Sequence, residues 1–359
     1  MAIDTFLKSV LTEPKPLMEL SEPQWDVLIH SAQRMGVLGR VQYRLAEGGL
    51  VNGVPTQPRM HLESARIVAD NERRIMRWEI NRIARALGEL QFPIVLLKGA
   101  AYLITDMPVS NGRVSSDIDL LVHKNNLATV ESALIAHGWE HTKLDDYDQF
   151  YYRIWSHELP PLRHRERGTI VDIHHTILPP TGRLHPDPRK LMAAAVAVDG
   201  SPFRVLCASD MVLHSAAHAF QDGDLKRGLK DIVDIDDLLR YFGVNSSFWD
   251  ELVDRSQELN LVRPLYYALR YSSLVLNTPI PPAIMDQCRK FAPSWPTGQL
   301  MDYLVAKIIS PRSQGWPGIT HGIAASSLYV RSHWLRMPPL LLARHLVHQW
   351  RQRRDHRSE

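Results

Sequence analysis

Asp117 and Asp119 flank a single isoleucine in the run Ser115-Ser116-Asp117-Ile118-Asp119-Leu120-Leu121-Val122. The alternation of acids with Ile118, Leu120 and Val122 spells a strand over Asp117 to Val122. Side chains of a strand alternate between its faces, so both carboxylates point to one side. Carboxylates held side by side repel each other unless a cation lies between them, and oxygen-only ligands suit Mg2+ or Mn2+. Such ions clamp the attacking and leaving oxygens of a phosphoryl displacement. A third acid, Asp172, sits in another strand-like run, Thr169-Ile170-Val171-Asp172-Ile173-His174-His175. An unpaired charge in a buried strand is costly, and a shared metal site would supply its reason. His174 shares the face of Asp172, where it would orient that carboxylate, donate to phosphate or merely satisfy it by hydrogen bonding.

The chain carries its own control for this spelling. Asp234-Ile235-Asp236 repeats acid–apolar–acid, but within a helix-period stretch with Leu225, Leu229, Ile232 and Leu239. Residues i and i+2 of a helix do not face each other, so this second pair cannot hold one ion. Strand context therefore carries the signal. Upstream, Leu96-Leu97-Lys98-Gly99-Ala100 reads as a strand, a glycine and a helix start, a turn that lets backbone N–H groups approach phosphate. Lys98 and Arg113 would add positive charge against a triphosphate.

The elements that must position these residues follow from periodicity. Residues 1–90 are expected to be helical, with Trp25, Leu28, Ile29 and Ala32 on one apolar face and a long helix over Arg59 to Leu90. The pattern changes at Pro93. Strands are expected at Ile94 to Leu97, Asp117 to Val122, Gln149 to Trp155 and Thr169 to Ile177, with a helix over Asn125 to Ala136. Asp106 to Arg113, with Pro108 and Asn111-Gly112, reads as a loop. Residues 91–205 then form a small mixed sheet domain. Helices resume over 206–350, with Ser209-Asp210 expected to cap one that runs through His218, and others at Leu225 to Tyr241 and Ser247 to Leu259. Residues 351–359 form a basic tail. The fold class is α+β, mostly helical, with the sheet between helical flanks.

Composition bounds the alternatives. Forty-five per cent hydrophobic and 23% charged residues in 359 are ordinary for a globular protein and exclude disorder over most of the chain. The longest apolar run, Leu191 to Val198, is too short to span a bilayer. Asp4 and Lys8 interrupt any signal-peptide core. Cys207 and Cys288 give neither a zinc-type spacing nor a disulfide framework, so a cytoplasmic location is expected. The net charge of +3 does not imply nucleic acid by itself. Residues 331–359 hold seven Arg against one Asp and one Glu; the apolar face of Trp334 to Arg354 is expected to pack on the helical domain with its basic face in water, and contact with a membrane surface or an anionic partner is the lesser alternative.

Strand, Gly-Ala, helix, loop, Asp-Ile-Asp strand and a later Asp-bearing strand together resemble the nucleotidyltransferase superfamily with the polymerase β-like fold. Leu-Lys-Gly-Ala-Ala-Tyr-Leu at 97–103, Gly-Arg at 112–113, Ser-Asp-Ile-Asp-Leu-Leu-Val at 116–122 and Val-Asp-Ile-His at 171–174 look more narrowly like the bacterial "uncharacterised nucleotidyltransferase" family. The resemblance covers about 20–240. It implies that Asp117 and Asp119 bind Mg2+ and nucleotide phosphates, that Asp172 completes the metal site and acts as base, and that Gly99 approaches the triphosphate. Lys98, Ala100, Arg113 and Ser116 belong to the same phosphate-binding set. Ala100 stands where many superfamily members carry Ser or a second Gly, so any hydroxyl contact to phosphate is lost there.

Other features have plainer readings. Lys226, Arg227 and Lys230 would touch nucleotide phosphates from the helical region, or line a solvated helix face. Arg163, His164, Arg165 and Arg167 read as a solvated hairpin loop, with a grip on an anionic acceptor as the lesser alternative. His214 and His218, four apart on one helix face, read as packing or cleft contacts rather than a zinc pair, because the glutamate of a metalloprotease motif is absent. The leading expectation is an Mg2+- or Mn2+-dependent transfer of a nucleoside monophosphate from a nucleoside triphosphate to an acceptor hydroxyl on a small molecule, protein or RNA. The alternative is a non-catalytic nucleotidyltransferase-like binding or regulatory protein. Acids converging on one point favour the first; splayed or salt-bridged acids favour the second.

Overall fold

The computed structural model of the chain describes residues 8, 11–14, 17, 19–142, 152–222, 225, 228–309, 319–339 and 342. The chain opens with α1 (Glu22–Arg34), α2 (Leu38–Glu47) and the long α3 (Thr56–Ala86). The capping box of Ser21 and Gln24 and the proline in the first turn start α1. The sheet region follows: β1 (Val95–Leu96), α4 (Lys98–Ile104), β2 (Asp117–Leu121), α5 (Leu127–Ala136), β3 (Trp139–His141), β4 (Leu162–His164), β5 (Ile170–His174), α6 (Pro188–Ala193), β6 (Val196–Ala197) and β7 (Arg204–Val205). The remainder is helical: α7 (Ala208–Ala217), α8 (Gly228–Phe242), α9 (Ser247–Glu258), α10 (Val262–Leu276), α11 (Pro282–Arg289), α12 (Trp295–Ile309) and α13 (Ile319–Arg336). This is the expected α+β class, mostly helical. Among the described residues, no helix is long and apolar enough to cross a membrane.

The strands form one mixed sheet in the order β3-β4-β5-β2-β1-β7-β6. β2 and β5 are central and parallel, with Asp119 level with Asp172 and Leu121 level with His174. Ile118 and Leu120 of β2, and Val171 and Ile173 of β5, alternate with the polar residues and are buried. This period of two fixes the register, because a slip of one residue would drive the carboxylates into the core. α4 packs on β2 and α3, and α7 packs against α8, α9 and α10. α2 reaches the loop before β2 through Gly39 and Gly112. A Cβ on either glycine would collide with the other's backbone, and Gly112 has φ +66°.

Several local expectations need correction. Residues 152–154 are helical, not a strand, while 149–151 lie outside the described residues. The long helix ends at Ala86, and Cys207 rather than Ser209-Asp210 is the N-cap of α7. Asp210 instead pairs in bidentate fashion with Arg255, both bonds at 2.8 Å. The arginine-rich hairpin is not simply solvated. Leu162 to His164 is a strand, His164 is buried, and Arg167 holds the buried Glu79 at 2.5 Å.

Candidate functional site

Parallel pairing of β2 with β5 puts register partners on one face. Asp117 and Asp119 therefore meet Asp172, and the three carboxylates each offer an oxygen within 4.8 Å of the others. Asp117 is exposed at the head of β2, while Asp119 is buried. Asp117 and Asp172 enter no ion pair among the described residues, and Oδ1 of Asp172 is buried with no hydrogen-bond partner. An orphaned carboxylate oxygen facing two further carboxylates is the donor set of a hard divalent cation. The residues present thus fit Mg2+ or Mn2+.

The electrostatics point the same way. Burial, then the charges of Glu158 and Asp119, push the Asp172 carboxyl up to about 8. Asp119 goes in the opposite direction. Burial alone would raise it, but Lys98 and a hydrogen bond from His174 hold it well below the usual carboxylate range. His174 is raised despite its burial, because Asp119 and Glu158 both favour its charged form. Four acidic groups crowded beside one imidazole leave negative charge that a cation would neutralise.

Asp117 and Asp119 of the trio line a cleft of about 640 Å3 between the sheet and the C-terminal helices, whereas Asp172 sits behind them and does not line it. Asp117, Asp119, Lys98, Gly99, Arg113 and Ser116 of the expected set line it, as does Lys230 from α8. Lys98 has φ +41°, an unusual backbone for lysine, and its Nζ lies 3.1 Å from Nδ1 of His218. Lys230 donates to the Val114 carbonyl at 2.9 Å. Gly99 is needed for space as well as for backbone access. A Cβ there would meet Arg113 and would lie 2.5 Å from Oγ of Ser115. Ala100 is different: its side chain is buried in the core and does not line the cleft. Lys226 and Arg227 lie outside the described residues, as do residues 351–359.

Arg113 is not an uncompensated charge. Its Nε donates to Asp234 at 2.9 Å, and Arg40 from α2 also grips Asp234 and, with Arg44, Asp237. The second acid–apolar–acid spelling is thereby resolved. Asp234 faces the cleft and its arginines, while Asp236 turns away to Arg240 at 2.8 Å and Thr278 at 2.6 Å. Burial would raise the Asp234 carboxyl, but Arg113 and Arg40 lower it. His218 lines the cleft, whereas His214 is packed in the interior and does not line it. Burial and the charges of Lys98 and His218 hold His214 well below its ordinary value.

Sequence reasoning missed four groups here. Asp234 and Asp231 line the cleft from α8, Arg336 reaches it from α13, and Glu158 approaches His174. Runs of acids on an otherwise apolar helix face were the available signal for the first two. Arg336 carried none, because the cleft residues it joins are distant in sequence.

A family model described as "Uncharacterised nucleotidyltransferase" matches residues 21–277. No curated protein and no solved structure matches the chain.

Proposed function

The chain belongs to the uncharacterised nucleotidyltransferase family, and from that premise we propose an Mg2+- or Mn2+-dependent transfer of a nucleoside monophosphate from a nucleoside triphosphate to an acceptor hydroxyl. Membership supports a general nucleotidyl-transfer role; the metal, the nucleotide and the residue roles are our reading. The observation that carries it is the convergence of Asp117, Asp119 and Asp172 beside an open cleft. A non-catalytic scaffold would have no need to hold two of these acids without ion-pair partners.

Asp117, Asp119 and Asp172 would hold the cation, which when bound neutralises charge developing on the triphosphate. Lys98, Lys230 and Arg336 place positive charge along the same cleft and would bind the phosphates. Gly99 and Ser116 would face the phosphates where the chain turns past the cleft. Arg113, neutralised by Asp234, packs against Gly99 and fixes that turn. In the transfer the acceptor oxygen bonds to the α-phosphorus, the bond to the bridging oxygen breaks, and pyrophosphate leaves with its electron pair. Asp172 is our candidate to take the acceptor's proton, because its buried Oδ1 has no hydrogen-bond partner of its own. His174 would hold Asp119 in place from behind.

The test is incubation of the purified chain with α-labelled nucleoside triphosphates and Mg2+ or Mn2+, alongside Asp117→Asn/Asp119→Asn. Metal-dependent nucleotide binding or label transfer, lost in the double variant, supports the reading. No nucleotide binding by the wild type with either ion refutes it.

A further inference from the structure

Behind the carboxylate trio lies a second group with different chemistry. Glu158 pairs with His174 in an isolated antiparallel bridge, and the ring of the preceding His157 lies beside that of His174. Nδ1 of His174 lies 3.4 Å from Oε2 of Glu158, and Nε2 of His157 lies 3.9 Å from that same oxygen. The two imidazole rings are 5.2 Å apart, and the three residues offer ligand atoms within 4.8 Å of one another. Tetrahedral ligands bonded to zinc at about 2.1 Å sit about 3.4 Å apart, so the spacing is close to that of a ligand shell.

His174 supplies the independent sign. It is buried, and its Nε2 is engaged with Oδ1 of Asp119 at 3.1 Å. With its Nε2 on Asp119, the ring turns Nδ1 toward Glu158. Nδ1 is buried and lies 3.4 Å from Oε2 of Glu158 without the alignment of a hydrogen bond. A buried ring nitrogen and a carboxylate oxygen at ligand spacing, not aligned for a hydrogen bond, suit a metal ion between them. An imidazole that donates one N–H to a carboxylate and turns its other nitrogen to a metal is the usual second-shell arrangement of histidine ligands.

We propose that His157, Glu158 and His174 form a transition-metal site of the zinc class, separate from the Asp117–Asp119–Asp172 group and joined to it through the His174–Asp119 hydrogen bond. Two imidazoles and one carboxylate favour zinc over Mg2+, whereas the all-oxygen trio favours Mg2+ or Mn2+. The side chains are 12%, 23% and 5% exposed, so the ion would sit in an enclosed position and serve to fix His174 rather than to meet substrate. Held there, His174 keeps its Nε2–H on Asp119 and sets that carboxylate toward the cleft. The site rests on these three side chains and not on the nucleotide reading.

The experiment is Zn2+ titration of the chelator-stripped full chain in excess Mg2+, read by competition with a chromophoric chelator and by bound metal content. The same titration is run on His157→Gln, Glu158→Gln and Asp117→Asn, with circular dichroism to verify folding, and the wild-type zinc complex is read by X-ray absorption. We expect one Zn2+ per chain, a shell containing two imidazoles, roughly 100-fold weaker binding in each of the first two variants, and unchanged binding in Asp117→Asn. Failure of the wild type to take up one equivalent of Zn2+ overturns the proposal. So does equal affinity in a folded His157→Gln chain, or a shell without imidazole. These readouts involve no nucleotide, so their failure is distinct from failure of the transferase reading.

Discussion

Asp119 and His174 meet diagonally across the parallel pair β2–β5, with His174 Nε2 donating to Asp119 Oδ1 at 3.1 Å. This bond ties the acid trio to the imidazole behind it. It gives Asp119 a fixed orientation that the strand alone would not supply.

His174→Ala should therefore weaken Mn2+ binding at the carboxylate trio by about 10–100-fold, the usual effect of losing a group that orients a metal ligand. Electron paramagnetic resonance of free Mn2+ during titration measures this. Equal affinity in wild type and variant would show that Asp119 needs no support from His174.

Asp234 is the hub of the interface between α2, the loop before β2 and α8. Asp234→Asn leaves Arg40 and Arg113 buried without their shared charge, and we expect a loss of about 3 kcal/mol at pH 7 by urea denaturation. Its carboxyl is lowered in the folded chain, so its stabilisation is present above the unfolded value near pH 4 and lost as pH falls through the folded value. The gap between wild type and variant should close correspondingly in acid.

Asp231 has the opposite sign. Burial and the charge of Asp234 push it up to about 6. Ionising it costs more in the folded chain than in the unfolded one, so it removes stability as pH rises from about 4 to about 6. Asp231→Asn should be more stable than wild type by about 2 kcal/mol at pH 7 and equal to it below about pH 4. Thermal melts across that range check the prediction.

Gly112→Ala should be among the most damaging small substitutions. Its Cβ would strike the Gly39 backbone and lie 2.8 Å from the Arg40 nitrogen, and φ is +66°. Nothing flexible can give way there, so a loss of at least about 3 kcal/mol is expected. A melting temperature within a few degrees of wild type would contradict this.

The acid site was legible because strand periodicity is short-range: Asp117, Asp119, Asp172 and His174 each sit among apolar residues that fix their face. The α+β class followed from the same patterns. Residues 152–154 were misread because a short aromatic run suits a strand or a helix turn equally until its neighbours are known. Arg167 reads as solvent-facing in sequence, and only the approach of Glu79, 88 positions away, makes it an interior partner. The Arg40–Asp234–Arg113 clamp is invisible for the same reason, since ion pairs between distant segments leave no local period. Glu158 acquires a role only through its bridge to His174.

The most direct test is calorimetric titration of the full chain with a non-hydrolysable nucleoside triphosphate, with Mg2+ and with chelator, in wild type and Asp117→Asn/Asp119→Asn. The account predicts saturable binding by the wild type with Mg2+, and binding at least about 100-fold weaker with chelator or in the double variant. Nucleotide affinity that ignores both the ion and the two aspartates would contradict it, as would a wild-type chain that binds no nucleotide when Mg2+ is present.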